Sequence, residues 1–522
     1  MTDAATTGLQ APPQVPDPSR RWWTLTAVCL GTFMLLLDIT VVNVALPDMQ
    51  KDLGSSFSDL QWVVDAYALT LAAALLTSGS LADLYGRRLL YLIGVSAFTV
   101  ASLLCGVATT TLFLQIARGA QGVGGAIMFA VSLALLADAF RGKDRGIAFG
   151  VWGSVTGLAV AVGPLVGGAL TSGLSWRWIF FVNLPIGVVV VLITMAKVQE
   201  SRDPRPRRPD WLGFVSFTAA LSFLVYALIE ASNRGFTDSL VLGCFAAAAV
   251  LMAAFLVVEV VGKHPMFELA LFRKPTFCGA SIAAFGVSAS IFAMFLYLTL
   301  YLQDVLGFSA LQTGLRLLPA SAGIFLVAGL SGRLSSLVPV RLLIGPGLLI
   351  VGAGLLLMRG LDAASEWTHL LPGLIVAGVG VGLLNPPLAS TAVGVVPPRQ
   401  AGMASGINST FRQVGIATGI ALLGSLFASR VRDAAAAELA KVPGLGGRAG
   451  QVGHSLTTGD LDKTLAGLPR PLRAPTATAA RSAFTTGLNH ILLVAAIIAL
   501  ASGVLSLALI RTQDFAQPEP TG

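Results

Sequence analysis

The sequence predicts an all-α integral membrane protein of fourteen spanning helices. Three observations carry that class. Charged residues make up 11% of the 522-residue chain, against roughly 25% in a soluble domain. Hydrophobic residues make up 55%, and mean hydropathy is +0.79. The apolar residues come in long runs of roughly 20, the length that crosses a hydrocarbon core as a helix. So few charges cannot cover a water-facing surface, which excludes an ordinary soluble enzyme, a disordered chain and a nucleic-acid binder. The runs are too long and do not alternate, which excludes a β-barrel.

In chain order, the first six spans run near 23–46, 60–82, 89–108, 111–136, 147–170 and 178–197. A Pro/Arg linker, Arg202–Trp211, follows. Two spans come next, near 211–230 and 240–261, then five near 277–302, 311–332, 341–358, 369–396 and 402–428. The polar, Ala/Thr/Gly-rich segment 429–486 reads as a long external loop without strong helix signals at its centre. The last span runs near 487–511. The N-terminal 20 residues are polar and Pro-rich, without the apolar centre of a cleavable signal peptide. Cys29, Cys105, Cys244 and Cys278 all fall inside apolar runs and read as small hydrophobes rather than a disulfide framework.

An even number of spans puts both ends on one side. The net charge is +8, and the placement of the basic residues says which side, because short cytoplasmic loops carry the excess of Lys and Arg. Nineteen of the 34 basic residues fall on the side of both termini, among them Arg20, Arg21, Arg87, Arg88, Arg141, Lys143, Arg145 and the linker arginines. The short loops opposite hold only Lys51, Arg177, Arg234 and Arg359. Gly79–Leu84 is echoed 250 residues later by Gly329–Leu334. A duplicated bundle would relate spans one to six to spans nine to fourteen, leaving seven and eight as an insert. Chance similarity between Gly/Leu-rich helices is the other reading.

Charges inside spans cost ~3 kcal/mol or more near a helix centre, so each calls for a partner or a task. Asp38 lies ~5 Å, Arg118 ~7–8 Å and Asp65 ~9 Å outward of their span centres, at 1.5 Å per residue. An acid and a base in one slab can satisfy each other. Asp38 and Arg118 then form either a proton site or an ion pair that only fixes helix register. Asp65 is either a further proton carrier or a solvated acid at a helix start.

Gly79, Asp83, Gly86, Arg87 and Arg88 form a tight turn between spans two and three, a gate latch or a plain basic turn. Gly153, Gly157, Gly163, Pro164, Gly167 and Gly168 line span five, where small residues allow close helix contact and proline allows a kink. Asn408 and Arg412 are four apart on one face of span thirteen, in its inner half. Arg412 there pairs a gate acid, a cargo carboxylate or nothing but structure. Asn385-Pro386-Pro387 is expected to break the regularity of span twelve. Tyr297 and Tyr301 read as an aromatic belt or a cavity wall. With Phe33, Met34, Asn43, Gln121 and Asn385 they are the candidate cavity residues. Glu230 and Glu259 sit at span ends. No phosphate-binding loop, metal cluster or Ser-His-Asp set is present in the sequence, so no cofactor, metal or catalytic residue is expected.

These motifs, in this order, resemble those of the major facilitator superfamily, specifically its fourteen-helix drug:proton antiporter branch. The most specific pieces are Leu37–Pro47, Gly79–Arg88, Leu114–Gly124, Gly153–Gly168, Trp176–Pro185, Tyr301–Ser309 and Gly402–Gly415. The resemblance implies two six-helix bundles rocking about a central cavity, with two inserted helices. It divides the chain into a tail (1–21), a first bundle (22–198), the linker with the inserted pair (199–262), five helices of the second bundle (263–428), the loop 429–486, the last helix (487–511) and a tail (512–522). It implies proton coupling by Asp38 and Arg118 and switching at the Asp83/Arg87 turn. Arg333 stands where the second copy would repeat Asp83. The implied activity is proton-driven export of small amphipathic drugs, by a non-enzyme that acts as a monomer in a bacterial inner membrane with both termini cytoplasmic. Amino acids, siderophores or lipid-like metabolites are alternative cargoes. A membrane lipid enzyme or a non-transporting receptor would be a different class, and the sequence shows no metal or nucleophile constellation for the former.

Overall fold

Helix follows helix along a computed structural model that describes residues 18–55, 57–202, 210–262, 268–440, 467 and 469–515. The first half comprises α1 (Pro18–Leu53), α2 (Phe57–Tyr85), α3 (Arg87–Gly106), α4 (Thr111–Ala139), α5 (Gly142–Gly173), the single turn α6 (Trp178–Phe181) and α7 (Asn183–Lys197). An inserted pair follows, α8 (Trp211–Arg234) and α9 (Ser239–Val261). The second half comprises α10 (Pro275–Val287), α11 (Ala293–Leu300), α12 (Ala310–Leu334), α13 (Arg341–Leu357), α14 (Leu371–Gly394), α15 (Ala401–Leu439) and α16 (Arg470–Leu509). Among the described residues there is no strand, and twelve helices are long and apolar enough to cross a membrane. Arg341–Leu357 is a shorter apolar helix of 17 residues.

Several helix starts are written in the sequence. The Thr110 side chain accepts from Phe113 N at 3.3 Å, and Asp210 from Gly213 N at 2.8 Å. Ser309 and Gln312 form a reciprocal capping box at α12. Gly86 turns the chain between α2 and α3 with φ 120°, a conformation open to glycine. A Cβ there would also meet the Glu200 carboxylate at 2.7 Å.

Each half has its own apolar core. One cluster, from Ala280 to Ile510, lies wholly in the second half. The first half is filled by two clusters, one of which takes in Ala389, Val393 and Ala401 of the second half. A fourth joins α2, α8, α9 and α15 through residues such as Leu76, Phe217, Phe255 and Ala404. It fastens the inserted pair to both halves.

The halves meet chiefly at the end that carries the α2–α3 and α4–α5 turns, called the basic end below. α5 runs along α12, and α2 packs on α15. A Cβ on Gly79 would lie 2.2 Å from the Gly402 carbonyl oxygen, and one on Gly146 2.2 Å from that of Gly332. The hydrogen bonds seen between the halves fall toward the same end, that of Ser154 lying deeper along α5. They are Arg87 to Pro398 O, Arg145 to Ser390 O, Ser405 to Ala130 O and Ser154 to Phe325 O, besides those accepted by Asp83.

Two expectations need correction. The segment 429–486 is not all loop: α15 continues to Leu439 and α16 starts at Arg470, while 441–466 and 468 lie outside the described residues. The run after Val431 is rich in alanine, the strongest helix former. It buries Val431, Ala435 and Leu439 at a spacing of four, and Val431 meets α16 at Gly487. Nor do Pro386 and Pro387 interrupt α14, which runs on through both. The missing N–H of Pro387 frees the Leu383 carbonyl, and the Ser331 hydroxyl on α12 donates to that oxygen instead.

A side chain at Gly79 cannot coexist with the closed basic end, because what it meets is backbone. Gly79→Val is therefore expected to move spin labels at Tyr85 and Leu337, both exposed, to longer distances in pulsed EPR. An unchanged distance distribution would show that this approach is not what holds the halves together.

Candidate functional site

Asp38 is fully buried, with its side chain 0% exposed. Five helices of the first half supply or brace its partners. Arg118 on α4 donates from Nη1 to Asp38 Oδ2 at 2.6 Å, and Gln121, one turn on, donates from Nε2 to Oδ1 at 2.9 Å. Asn183, at the start of α7, donates from Nδ2 to the same Oδ1 at 2.9 Å and to Ser102 Oγ on α3 at 3.0 Å. The Ser102 hydroxyl donates to Phe180 O at 2.9 Å.

Arg118 is braced in turn. Its Nη1 donates to Gln121 Oε1 at 2.8 Å and its Nε to Val63 O on α2 at 3.2 Å. Its guanidinium carbon lies 4.2 Å from the centroid of the Tyr67 ring. Both oxygens of Asp38 are thus occupied by donors, one of them charged. That arrangement fits the ionised carboxylate, because a protonated acid would turn one acceptor into a donor facing donors.

Sequence reasoning placed Asp38, Arg118 and Asp65 at one depth, and the structure brings only the first two together. Val63 and Tyr67, four apart, face α4 through Arg118. Asp65 is two residues from each, so at 100° per residue it points the other way. It is partly exposed, and the charge it feels is that of Glu230 on α8. Trp62 and Tyr226 pack beside it at 5.7 Å between centroids. Glu230 is buried and accepts from Arg234 Nε at 2.7 Å. Asn183 was missed as a site residue. Its signal was a polar residue opening an apolar run, in the quoted stretch Trp176–Pro185.

The turn between α2 and α3 forms a clasp across the halves. Asp83 accepts from Arg87 Nε at 2.9 Å and Nη2 at 2.7 Å, and from the backbone N–H groups of Gly402 at 3.0 Å and Met403 at 2.8 Å. It therefore caps the N-terminus of α15 from the other half, where orphan N–H groups and the helix dipole favour an anion. Arg88 takes no part in this: its Nη2 donates to Met195 O at 2.7 Å, within the first half. Glu200 caps α3 by accepting from Arg88 N and Leu89 N.

The glycines of α5 divide between two partners. A Cβ on Gly153 would lie 2.8 Å from Pro386 of α14, and one on Gly157 2.7 Å from Ile324 of α12. Gly163 and Gly167 face Thr40 and Val41 of α1, and Gly168 has only ordinary contact with Leu311. The Pro164 side chain lies outside the described residues, as does that of Asn43.

The cavity residues sort differently from expectation. Phe33 is partly exposed, but Met34 is fully buried and Gln121 is committed to Asp38. Tyr297 and Tyr301 are in the core of the second half, not on an open wall. The Tyr297 hydroxyl donates to Ile420 O at 2.8 Å and the Tyr301 hydroxyl to Ser365 O at 3.1 Å, with the rings against Phe427 and Phe484. Tyrosine buries well when its O–H reaches such a carbonyl. Asn385 is buried and accepts from Arg412 Nη2 at 2.7 Å, and Asn408 Oδ1 accepts from Arg412 Nε at 3.3 Å. Among the described residues no cluster of His, Cys, Asp or Glu could hold a metal ion.

The family model described as Major Facilitator Superfamily matches residues 28–420, and the chain belongs to that superfamily of membrane transporters. It is 40% identical over 407 residues to the multidrug resistance protein Stp of Mycobacterium tuberculosis, covering 78% of this chain and 76% of that one. It is 37% identical to the puromycin resistance protein pur8 of Streptomyces alboniger, covering 79% and 83%. It is 33% identical to the tetracenomycin C resistance and export protein of Streptomyces glaucescens, covering 79% and 77%. Among solved structures, the human organic anion transporter MFSD10 superposes with a TM-score of 0.61 at 15% identity, covering 94% of this chain and 100% of that one. That likeness is one of fold.

Removing one partner of a buried ion pair strands the other charge, at a cost of about 3–5 kcal/mol. Arg118→Leu is expected to destabilise the protein on that scale in mixed-micelle unfolding. Adding Asp38→Asn should recover part of the loss. Additive losses in the double variant would show that the two groups do not depend on each other.

Proposed function

We propose that the protein is a proton-coupled exporter of small amphipathic antimicrobial compounds, working by alternating access. The named activities of its relatives, multidrug resistance and antibiotic resistance and export, support the export reading. The observation that carries proton coupling is the sealed Asp38–Arg118 pair, the charge-bearing centre of the first half. A carboxylate whose every acceptor is filled can take up a proton only if its partners move, so protonation and helix rearrangement are one event.

In this reading the basic end is cytoplasmic and both termini lie there, in a bacterial inner membrane. Fourteen helices cross it: the twelve long ones, α5 and the shorter α13. Residues 22–198 form the first bundle and 263–428 with 487–511 the second, around the inserted pair of 199–262. The protein works as a monomer. The conformation seen, clasped at the basic end by Asp83 and the glycine contacts, is the outward-facing one.

A proton from outside neutralises Asp38 and weakens its hold on Arg118. The first half repacks, the Asp83 cap leaves α15, and the cytoplasmic side opens. Cargo enters, the proton leaves, and the clasp re-forms to expel cargo outward. Cargo and proton need not touch, because each biases the same conformational equilibrium.

Inside-out vesicles with an imposed proton gradient test this with a panel of amphipathic antibiotics and dyes. Gradient-driven accumulation is expected with the wild type, and at least a tenfold loss in Asp38→Asn at matched expression. Full accumulation by the variant would place the proton elsewhere, and none by the wild type across the panel would remove the exporter reading.

A further inference from the structure

The second half carries a charge of its own within a helix, Arg412, with a different environment. Among the described residues no carboxylate lies within the 4.0 Å of an ion pair. Its two bonded groups, Nε and Nη2, meet only the neutral amide oxygens of Asn408 and Asn385. A guanidinium has five N–H donors, and its Nη1 pair has no hydrogen bond among the described residues. A cation in a membrane bundle without a counter-ion is costly and marks a task.

The position of Arg412 says what the task involves. Ser405 and Arg412 are seven residues apart on α15, so they share a face to within ~20° and are ~10 Å apart along the axis. The Ser405 hydroxyl bonds Ala130 O on α4, so this face looks at the first half. Asn385, which holds the guanidinium, precedes Pro386, which touches Gly153 of α5. Along the stripe, Ser405 and Asn408 are buried, whereas Arg412, Ile416 and Ile420 are partly exposed. Arg412 therefore sits where the closed seam between the halves opens, with apolar side chains beyond it.

We infer that Arg412 is the anchor for an acidic oxygen on the cargo, so that the protein takes amphipathic compounds bearing a carboxylate or an ionised phenol or enol. The guanidinium supplies charge-assisted hydrogen bonds to that oxygen. Asn385 and Asn408 hold its plane fixed, and Ile416 and Ile420 meet the apolar body. The face turned to the other half, rather than to lipid, assigns the oxygen to a solute in the cleft and not to a lipid headgroup. The word cargo rests on the exporter reading; the anion site does not.

Fluorescein and rhodamine 6G test this, because they share a ring system and carry opposite charge. Binding to the purified protein in phosphatidylcholine nanodiscs is read by fluorescence anisotropy. The wild type should bind fluorescein, Arg412→Gln about tenfold to a hundredfold more weakly, the range for one charge-assisted hydrogen bond, and Arg412→Lys in between. Rhodamine 6G affinity should stay within about twofold of its wild-type value under the same substitution, since that bond is absent from it. Thermal unfolding of Arg412→Gln should be unchanged or raised, since no ion pair is broken.

An unchanged fluorescein affinity in Arg412→Gln overturns the anion site. So does a joint loss of both dyes with a lowered melting temperature, which is the mark of a packing role, and so does a wild type that binds no fluorescein. Fluorescein binding with no gradient-driven uptake of fluorescein or of any panel compound in inside-out vesicles would reject the exporter reading and keep the site. Uptake of rhodamine 6G by a wild type that binds no fluorescein would keep the exporter reading and reject the site.

Discussion

A charge or a free backbone group inside an apolar bundle has no water to fall back on, and the buried polar groups of this protein are arranged around that constraint. Asp38 has a cation and two amide donors. Asp83 has an arginine and two backbone N–H groups. The carbonyl that Pro387 leaves free has the Ser331 hydroxyl. In each case the partner comes from another helix, so satisfying one group fixes the relation of two helices. Polar groups that are scarce in sequence thereby set the geometry of the apolar majority.

The same constraint shows in the seam between the halves. That seam combines close glycine contacts, the Asp83 cap on α15, and single hydrogen bonds from Arg87, Arg145, Ser154 and Ser405 to carbonyls of the other half. Contacts of that kind need little side-chain ordering to form, and in the proposed opening water would satisfy the α15 N-terminus once Asp83 withdraws. Asp83 and Arg87 are also paired to each other across the α2–α3 turn, within the first half, at 2.7 Å, so in the proposed opening neither charge need be left unpaired.

The two halves differ in how they hold charge within the bundle. The first neutralises its acid and base internally and seals them. The second leaves a cation, steadied by amides, partly exposed. A proton can change the charge of the first, whereas an arginine keeps its own. The roles proposed for the two, coupling and recognition, follow that difference in chemistry.

The sequence alone determined the all-helical membrane class, the positions of the helices, the two candidate coupling residues and the glycine-rich stretches. These depend on run length, local charge and spacing, which are properties of the chain read along its length. Only the tertiary structure decided which side chains meet. Asn183 reaches Asp38 from 145 positions away, and Asp65, at nearly the same depth, faces α8 instead. Tyr297 and Tyr301 close a core rather than line a cleft. Depth in the membrane follows from counting residues at a fixed rise, but the direction a residue faces depends on how each helix is rotated against its neighbours. That rotation is set by the packing of all the helices together.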